Sequence, residues 1–237
     1  MNGKRQAGCL SHYGMQLTVG KRLARFGDMV TSRIRRLHFL MAILFGALAF
    51  ARVAHGASGT DAGTWVPLFN GKDLSGWVVM NNAAFTVTNG VIHLDKSTGW
   101  LRTGKEYGDF VLVAEWRALE TGYNSGFYIR AGLVGNPYPT NAWQVNLKEN
   151  ALGQLLRGKT EAAPSTTPGF SIREWVTFHM EVRGKKLTLD VNGERAWEFS
   201  GLDTDRGYIG IKAESKLMEF RNVRVRELGS DAPGKNN

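Results

Sequence analysis

Five polar residues stand at alternating positions in short, strand-like stretches of this chain: Glu115, Arg130, Gln144, Asn146 and Lys212. A carboxylate held near a carbon acid works as a general base. A guanidinium or ammonium beside it can hold the negative charge that develops on a neighbouring oxygen. Glu115 is therefore the candidate base, with Arg130 or Lys212 as its cationic partner. The amides of Gln144 and Asn146 both donate and accept hydrogen bonds, as a site for a polar ligand needs. Structural readings of the same residues stay open: a Glu115–Arg130 ion pair on a solvated sheet face, and a solvent-facing Lys212. His93 and His179 have no second ligand nearby and read as packing histidines. No stretch has metal-ligand spacing, and no cofactor is expected.

These residues need strands to hold them. Short alternating runs separated by Gly and Asn turns fill the chain after residue 57. Phe85–Thr88 and Val91–Leu94 flank Asn89-Gly90, and Lys186–Val191 leads through Asn192-Gly193 into Glu194–Phe199. Asn-Gly supplies the positive φ of a two-residue type I′ hairpin. Trp77–Met80, Asp109–Leu119, Ser125–Arg130, Ala142–Lys148, Trp175–Arg183, Tyr208–Lys212 and Met218–Glu227 complete the series. No window has a helical apolar period, so an all-β sandwich or jelly roll is expected. Alternate strand residues share a face. Phe110, Leu112, Ala114 and Trp116 thus point opposite to Glu115, and Tyr128 shares a face with Arg130. On this count Glu115, Arg130, Gln144, Asn146 and Lys212 are expected to line one concave polar face. Two stretches break the rhythm as long loops, Ala131–Asn141 with Pro137 and Pro139, and Gly158–Arg173 with Pro164 and Pro168. Long loops on a rigid scaffold are where sites concentrate.

The beginning of the chain reads differently. Arg33-Ile-Arg35-Arg36, the apolar run Leu37–Phe50 and a small-residue zone ending Ala54-His55-Gly56-Ala57 have the layout of a secretory signal. The apolar run is shorter than the roughly 20 residues of a membrane span. Arg35-Arg36 is a faint twin-arginine pattern, and Met29 and Met41 are alternative starts. The expected organisation is an N-terminal extension and signal at 1–56, a β-sandwich domain at 57–228 and a tail at 229–237. Export to a bacterial periplasm or the extracellular space follows as an expectation, with no stable membrane span after cleavage. Of 30 basic and 21 acidic residues, residues 1–56 hold nine and one, leaving 21 against 20. The net charge of +9 is thus a property of the leader and gives no reason to expect nucleic acid. The lone Cys9 also lies there, so the remainder has no thiol chemistry and no disulfide.

Six blocks, in order, carry a family resemblance: Trp65–Trp77 (WVPLFNGKDLSGW), Leu101–Phe110, Glu115-Trp-Arg117 with Asn124-Ser-Gly-Phe-Tyr-Ile-Arg130, Arg173-Glu-Trp175, Val191-Asn-Gly193 and Phe220–Arg226. They resemble the DUF1080 family, also called the 3-keto-disaccharide hydrolase domain, over about residues 65–228. The resemblance implies a concanavalin A-like jelly roll of two antiparallel sheets. It also implies action on glycosides oxidised at C3, as a 3-keto-glucoside 1,2-lyase or a 3-keto-2-hydroxy-glucal hydratase. A C3 ketone acidifies the C2 proton; a base takes it, the aglycone leaves C1, and water adds back. Under this reading Glu115 is the base and Arg130 or Lys212 polarises the ketone. Asn124, Tyr128, Gln144 and Asn146 would hold the sugar, and Trp100 and Tyr138 would stack on its C–H faces. A separate sugar 3-oxidoreductase would supply the substrate. Two segments depart from the family pattern. Its Glu-x-Gln is Gln144-Val-Asn146 here, and its Leu-Gln-x-His is Ile211-Lys-Ala-Glu214. A non-catalytic carbohydrate-binding module is the alternative, because one fold hosts many functions.

Overall fold

The computed structural model describes residues 62–165, 171–214 and 216–229. The expected leader at 1–56 and nearly all of the expected tail lie outside the described residues. The strands are β1 (Ala62–Pro67), β2 (Trp77–Met80), β3 (Phe85–Thr88), β4 (Val91–Leu94), β5 (Thr98–Tyr107), β6 (Phe110–Ala118), β7 (Asn124–Ala131), β8 (Trp143–Lys148), β9 (Leu155–Arg157), β10 (Thr160–Ala163), β11 (Val176–Arg183), β12 (Lys186–Val191), β13 (Glu194–Ser200), β14 (Gly207–Glu214) and β15 (Met218–Leu228). There is no helix among the described residues.

The strands form two antiparallel sheets. Sheet A runs β13-β12-β11-β6-β15-β4-β3, with β1 also paired to β15; sheet B runs β10-β9-β8-β7-β14-β5-β2. Both Asn-Gly hairpins form, with positive φ at both turn residues: 52° and 76° at Asn89-Gly90, 51° and 87° at Asn192-Gly193. Period-two patterning sets the sandwich. In β11, Val176, Phe178, Met180 and Val182 are buried while Thr177, His179, Glu181 and Arg183 alternate outward. The inner face of sheet A (Leu112, Trp116, Phe178, Phe220) and that of sheet B (Leu101, Phe127, Val145, Ile211) share one core. Phe127 makes the junction, with ring centroids 5.9 Å from Phe220 and 6.3 Å from Phe178. A second, smaller cluster of Trp100, Tyr128, Ala131 and Ala142 lies apart from it, on the outer face of sheet B.

Four strands escape the sequence pattern: β1, β5, β9 and β10. β5 carries Gly99, Gly104 and five charged or threonine positions, so its composition resembles a turn. It is a strand because β14 and β2 pair with its two edges. Gly99 sits at φ 137°, where a Cβ would lie 2.4 Å from the Met80 carbonyl oxygen. The expected loop Gly158–Arg173 contains β10, which pairs with β9 in a short hairpin.

Arg130 does not point where alternation puts it. The β7–β14 register steps from Tyr208↔Ala131 to Gly210↔Tyr128, so β7 spends one residue more than its partner. This bulge has Arg130 at φ 49°. Ala131 takes the outer face beside Tyr128 and Arg130 is withdrawn from it, 1% exposed. Its guanidinium donates to the carbonyls of Gly108 (2.9 Å), Gly184 (2.7 Å) and Thr204 (2.6 Å) and to Asp109 Oδ1 (2.7 Å). Gly108-Asp109 precedes β6, and Gly184 turns β11 into β12. Arg130 therefore ties an end of sheet A to sheet B. Replacing Arg130 with Met takes the buried donor away from three carbonyls and leaves Asp109 with the Gly184 N–H (2.9 Å) in place of its ion pair. The expected cost is about 3–5 kcal/mol, read from urea unfolding midpoints. Arg130→Lys should recover only part of it, because an ammonium cannot reproduce the planar fork. A loss below about 1 kcal/mol for the Met variant would contradict this reading.

Candidate functional site

Cross-strand register builds the outer face of sheet B in rows. One row runs Glu161, Leu156, Gln144, Tyr128, Gly210, Arg102 and Val78 across β10, β9, β8, β7, β14, β5 and β2. In the next, Asn146 pairs with Gly126, and Lys212 pairs with Trp100, which pairs with Met80. Two glycines make room on this floor. A Cβ on Gly126 would lie 2.8 Å from Gln144 Cγ and Nε2, so the glutamine lies flat across that position. A Cβ on Gly210 would lie 2.7 Å from Trp100, so the indole lies across that one. Trp100 meets Tyr128 edge-to-face with centroids 5.6 Å apart and holds the tyrosine in place.

A pocket of about 440 Å³ opens over this floor, lined by Tyr128, Tyr138, Gln144, Lys159, Lys212 and Glu214 among others. That volume lies in the range of small-molecule sites, about 300–1,000 Å³. The loop 132–141 forms one wall. It is anchored by Asn81 Nδ2 donating to the Pro137 carbonyl (2.9 Å) and by the Tyr138 hydroxyl donating to the Ala213 carbonyl (3.0 Å). Lys212 Nζ lies 4.6 Å from the centre of the Tyr138 ring and forms an ion pair with Glu214. Burial, then the charge of Glu214, pushes the Tyr138 phenol up to about 12, so it stays a protonated donor at neutral pH. The Tyr128 phenol is raised as well, again chiefly by burial. The pocket thus holds a carboxylate, two ammoniums, an amide and two protonated phenols within one small volume. That set can take a proton from a carbon acid and stabilise the oxyanion left behind.

The sequence-predicted residues divide into two groups. Gln144, Asn146 and Lys212 share the outer face of sheet B, with Tyr128 and Tyr138 beside the pocket. Asn146 is buried and lies behind Gln144, whose Nε2 donates to its Oδ1 at 3.0 Å. Asn124 stands at the start of β7 opposite Lys148, away from the pocket lining. Trp100 is only 1% exposed and supports Tyr128; it offers no open stacking face. Arg130 is withdrawn by the bulge. Glu115 is on the other sheet altogether. It projects from the outer face of sheet A, where Arg221 Nε (2.7 Å) and Asn222 Nδ2 (2.6 Å) donate to its two oxygens. Alternation places a side chain on one face of its own strand; it does not say which sheet the strand joins. The expectation that Glu115 and Arg130 line the pocket is therefore corrected. His93 and His179 are likewise on the sheet A surface, paired with Glu219 and Asp190.

Sequence reasoning missed Glu214 as a site residue, although it stands two positions beyond Lys212 on one strand and so shares its face. It also missed Lys159 and Thr140, whose loops reach the pocket only through the fold. Among the described residues no cluster of His, Cys, Asp and Glu could hold a metal ion.

The model of the 3-keto-alpha-glucoside-1,2-lyase-like domain matches residues 64–226. The chain belongs to this family. No curated protein matches it in sequence. Among solved structures, a candidate glycosyl hydrolase from Parabacteroides distasonis ATCC 8503 superposes with TM-score 0.58 at 20% identity, covering 70% of this chain and 94% of that one. A Bacillus subtilis protein with a galectin-like fold gives 0.57 at 12% identity, covering 73% and 99%. The carbohydrate-binding module CBM66 from Bacillus subtilis gives 0.54 at 14% identity, covering 62% and 93%. These likenesses establish the jelly-roll fold of the 3-keto-alpha-glucoside-1,2-lyase-like domain in this chain.

For Glu115, burial opposes ionisation, but the hydrogen bonds from Asn222 and Arg221 and the charges of Arg221 and Arg224 outweigh it. Together they hold the carboxyl below its ordinary value. A depressed folded value means that the ionised carboxylate contributes stability above the unfolded carboxyl's roughly 4.3, which is lost as pH falls through the folded value. Glu115→Gln should therefore lower the melting temperature at pH 7, and its deficit should shrink as pH is lowered toward 3. A deficit that stays constant across that range would contradict the linkage.

Proposed function

We propose that the pocket on the outer face of sheet B binds a sugar and that the protein cleaves 3-keto-glycosides by elimination and hydration. The Lys212–Glu214 pair inside that pocket carries the reading, in a chain whose family is defined by 3-keto-glucoside lyase-like domains. Glu214 takes the C2 proton. Electron density moves toward C3, and the Lys212 ammonium holds the enolate oxygen. The C1–O bond then breaks and the departing oxygen takes a proton, leaving an enone and the free aglycone. Water adds to C1 and a proton returns to C2, giving the free 3-keto-sugar. The Tyr138 hydroxyl is committed to the Ala213 carbonyl and fixes this wall, so the departing oxygen takes its proton from water. A plain two-carboxylate hydrolysis is not the plan this pocket supports, because among the described residues Glu214 is the one carboxylate in its lining and the scheme needs two.

The substrate must already be a ketone, so a sugar 3-oxidoreductase supplies it in this scheme. The basic segment and short apolar run before residue 57 favour export, which would place the reaction in the periplasm or outside the cell. The competing reading is a module that binds a sugar without turnover. The amide pair Gln144–Asn146, where the family resemblance has an acid and a glutamine, is the observation in its favour.

Incubation of the purified protein with a 3-keto-disaccharide and with its unoxidised parent separates the two. The expected result is free 3-keto-sugar from the first and no cleavage of the second. Glu214→Gln should lower kcat by about 10²–10⁴ with binding retained. Glu115→Gln should leave kcat unchanged. Wild-type turnover by Glu214→Gln would move the base elsewhere; binding with no turnover by the parent protein would favour the module. Gly126→Ala offers a second check. Its Cβ must push Gln144 aside, which a flexible side chain can accommodate. Affinity for the 3-keto-disaccharide should fall roughly tenfold, one lost hydrogen bond, with a modest drop in melting temperature from breaking the buried Gln144–Asn146 bond. Unchanged affinity would remove Gln144 from the binding surface.

A further inference from the structure

A chain of side-chain amides leads away from the pocket. Gln144 Nε2 donates to Asn146 Oδ1 at 3.0 Å, Asn146 Nδ2 donates to Gln154 Oε1 at 3.4 Å, and Gln154 Nε2 donates to Glu161 Oε2. Backbone bonds hold the middle link. Asn146 N donates to the Gln154 carbonyl (2.9 Å) and Gly153 N to the Asn146 carbonyl (2.8 Å). The far end, Glu161, is exposed on β10, two strands from Gln144 and in the same cross-strand row.

We propose that Glu161 is a positioning residue that sets which atom of Gln144 faces the pocket. An amide can be turned end for end at little cost, because its donor and acceptor sides have nearly the same shape. An ionised carboxylate cannot, since it only accepts. Glu161 therefore obliges Gln154 to present its NH₂. The Gln154 oxygen is left to accept from Asn146, and the Asn146 oxygen to accept from Gln144. Every amide in the chain is fixed in one sense, and the carbonyl Oε1 of Gln144 is the end turned toward the ligand. The packing agrees: Gln144 Nε2, not its oxygen, is among the atoms nearest the Cβ position of Gly126. Gln144 in this sense binds a hydroxyl and refuses an acceptor-only group. On the reading that the pocket takes a 3-keto-sugar, the ketone is thereby turned away from Gln144 and toward Lys212. An exposed residue outside the pocket thus helps to decide which way round the sugar lies.

Two variants separate polarity from mere structure. Glu161→Lys places a donor-only group at the end of the chain and reverses every link. The double variant Gln154→Glu with Glu161→Gln puts an acceptor-only group one link closer and keeps the original sense. In the protein without ligand, proton NMR should show cross-peaks from the Gln144 side-chain NH₂ to the Gly126 Hα protons. These should persist in the double variant and vanish in Glu161→Lys. Cross-peaks unchanged in Glu161→Lys, or lost equally in both, would overturn the proposal. The sugar arm uses methyl α-glucoside and its monodeoxyfluoro analogues in calorimetric titrations. Fluorine at the position facing Gln144 should weaken binding to the parent protein roughly tenfold, and by less than about threefold in Glu161→Lys. A penalty equal in both proteins would also overturn it. If no glucoside binds either protein, the unoxidised sugar is not a ligand of the pocket, and the NMR arm alone decides the relay.

Discussion

Two sheets share one core in this protein, and that constraint governs where its chemistry can be. Phe127 of sheet B packs on Phe178 and Phe220 of sheet A, and every strand residue of the opposite parity is driven outward. Facing sheets stand about 10 Å apart, so the two outer faces are separated by the full thickness of the sandwich. A polar group on one cannot cooperate with a polar group on the other. Glu115 on sheet A and Lys212 on sheet B are each correctly turned to solvent, yet they cannot serve one reaction. The outer face of sheet A is a mosaic of ion pairs, Glu115–Arg221, Arg117–Glu219 and Lys186–Glu198 among them. The outer face of sheet B instead has glycine clearances and aligned amides beneath its pocket.

Much of the fold is legible in the sequence because hairpin chemistry and alternation are local. Asn89-Gly90 and Asn192-Gly193 announce their turns, and β11 shows its period directly. What is not legible depends on partners distant in sequence. β5 resembles a turn until β2 and β14 flank it. Arg130 follows the parity of Tyr128 until the register with β14 inserts a bulge. The site shows the same division. Gln144 with Asn146, and Lys212 with Glu214, are each placed on one face by a spacing of two. That these pairs meet over one floor, while Glu115 does not, is decided by strand order, which neither pair encodes.

The departures from the family pattern take on a consistent form in three dimensions. The resemblance expects an acid at position 144 and a histidine at 214; this chain has an amide and an acid there. Both positions line the same pocket. The carboxylate has moved from β8 to β14, next to the ammonium of Lys212, and the amide at 144 is held by a chain of hydrogen bonds ending at Glu161. The pocket keeps one acid and gains a cation, which suits formation of an enolate better than protonation of a glycosidic oxygen by a second acid.

In the proposed reaction, bond cleavage begins with loss of the C2 proton. Initial-rate comparison of a 3-keto-glycoside carrying hydrogen or deuterium at C2 tests it directly, because only this mechanism breaks that bond before the aglycone departs. A primary isotope effect on kcat/KM, well above unity, is expected. Equal rates for the two substrates, together with cleavage of the unoxidised glycoside, would contradict it.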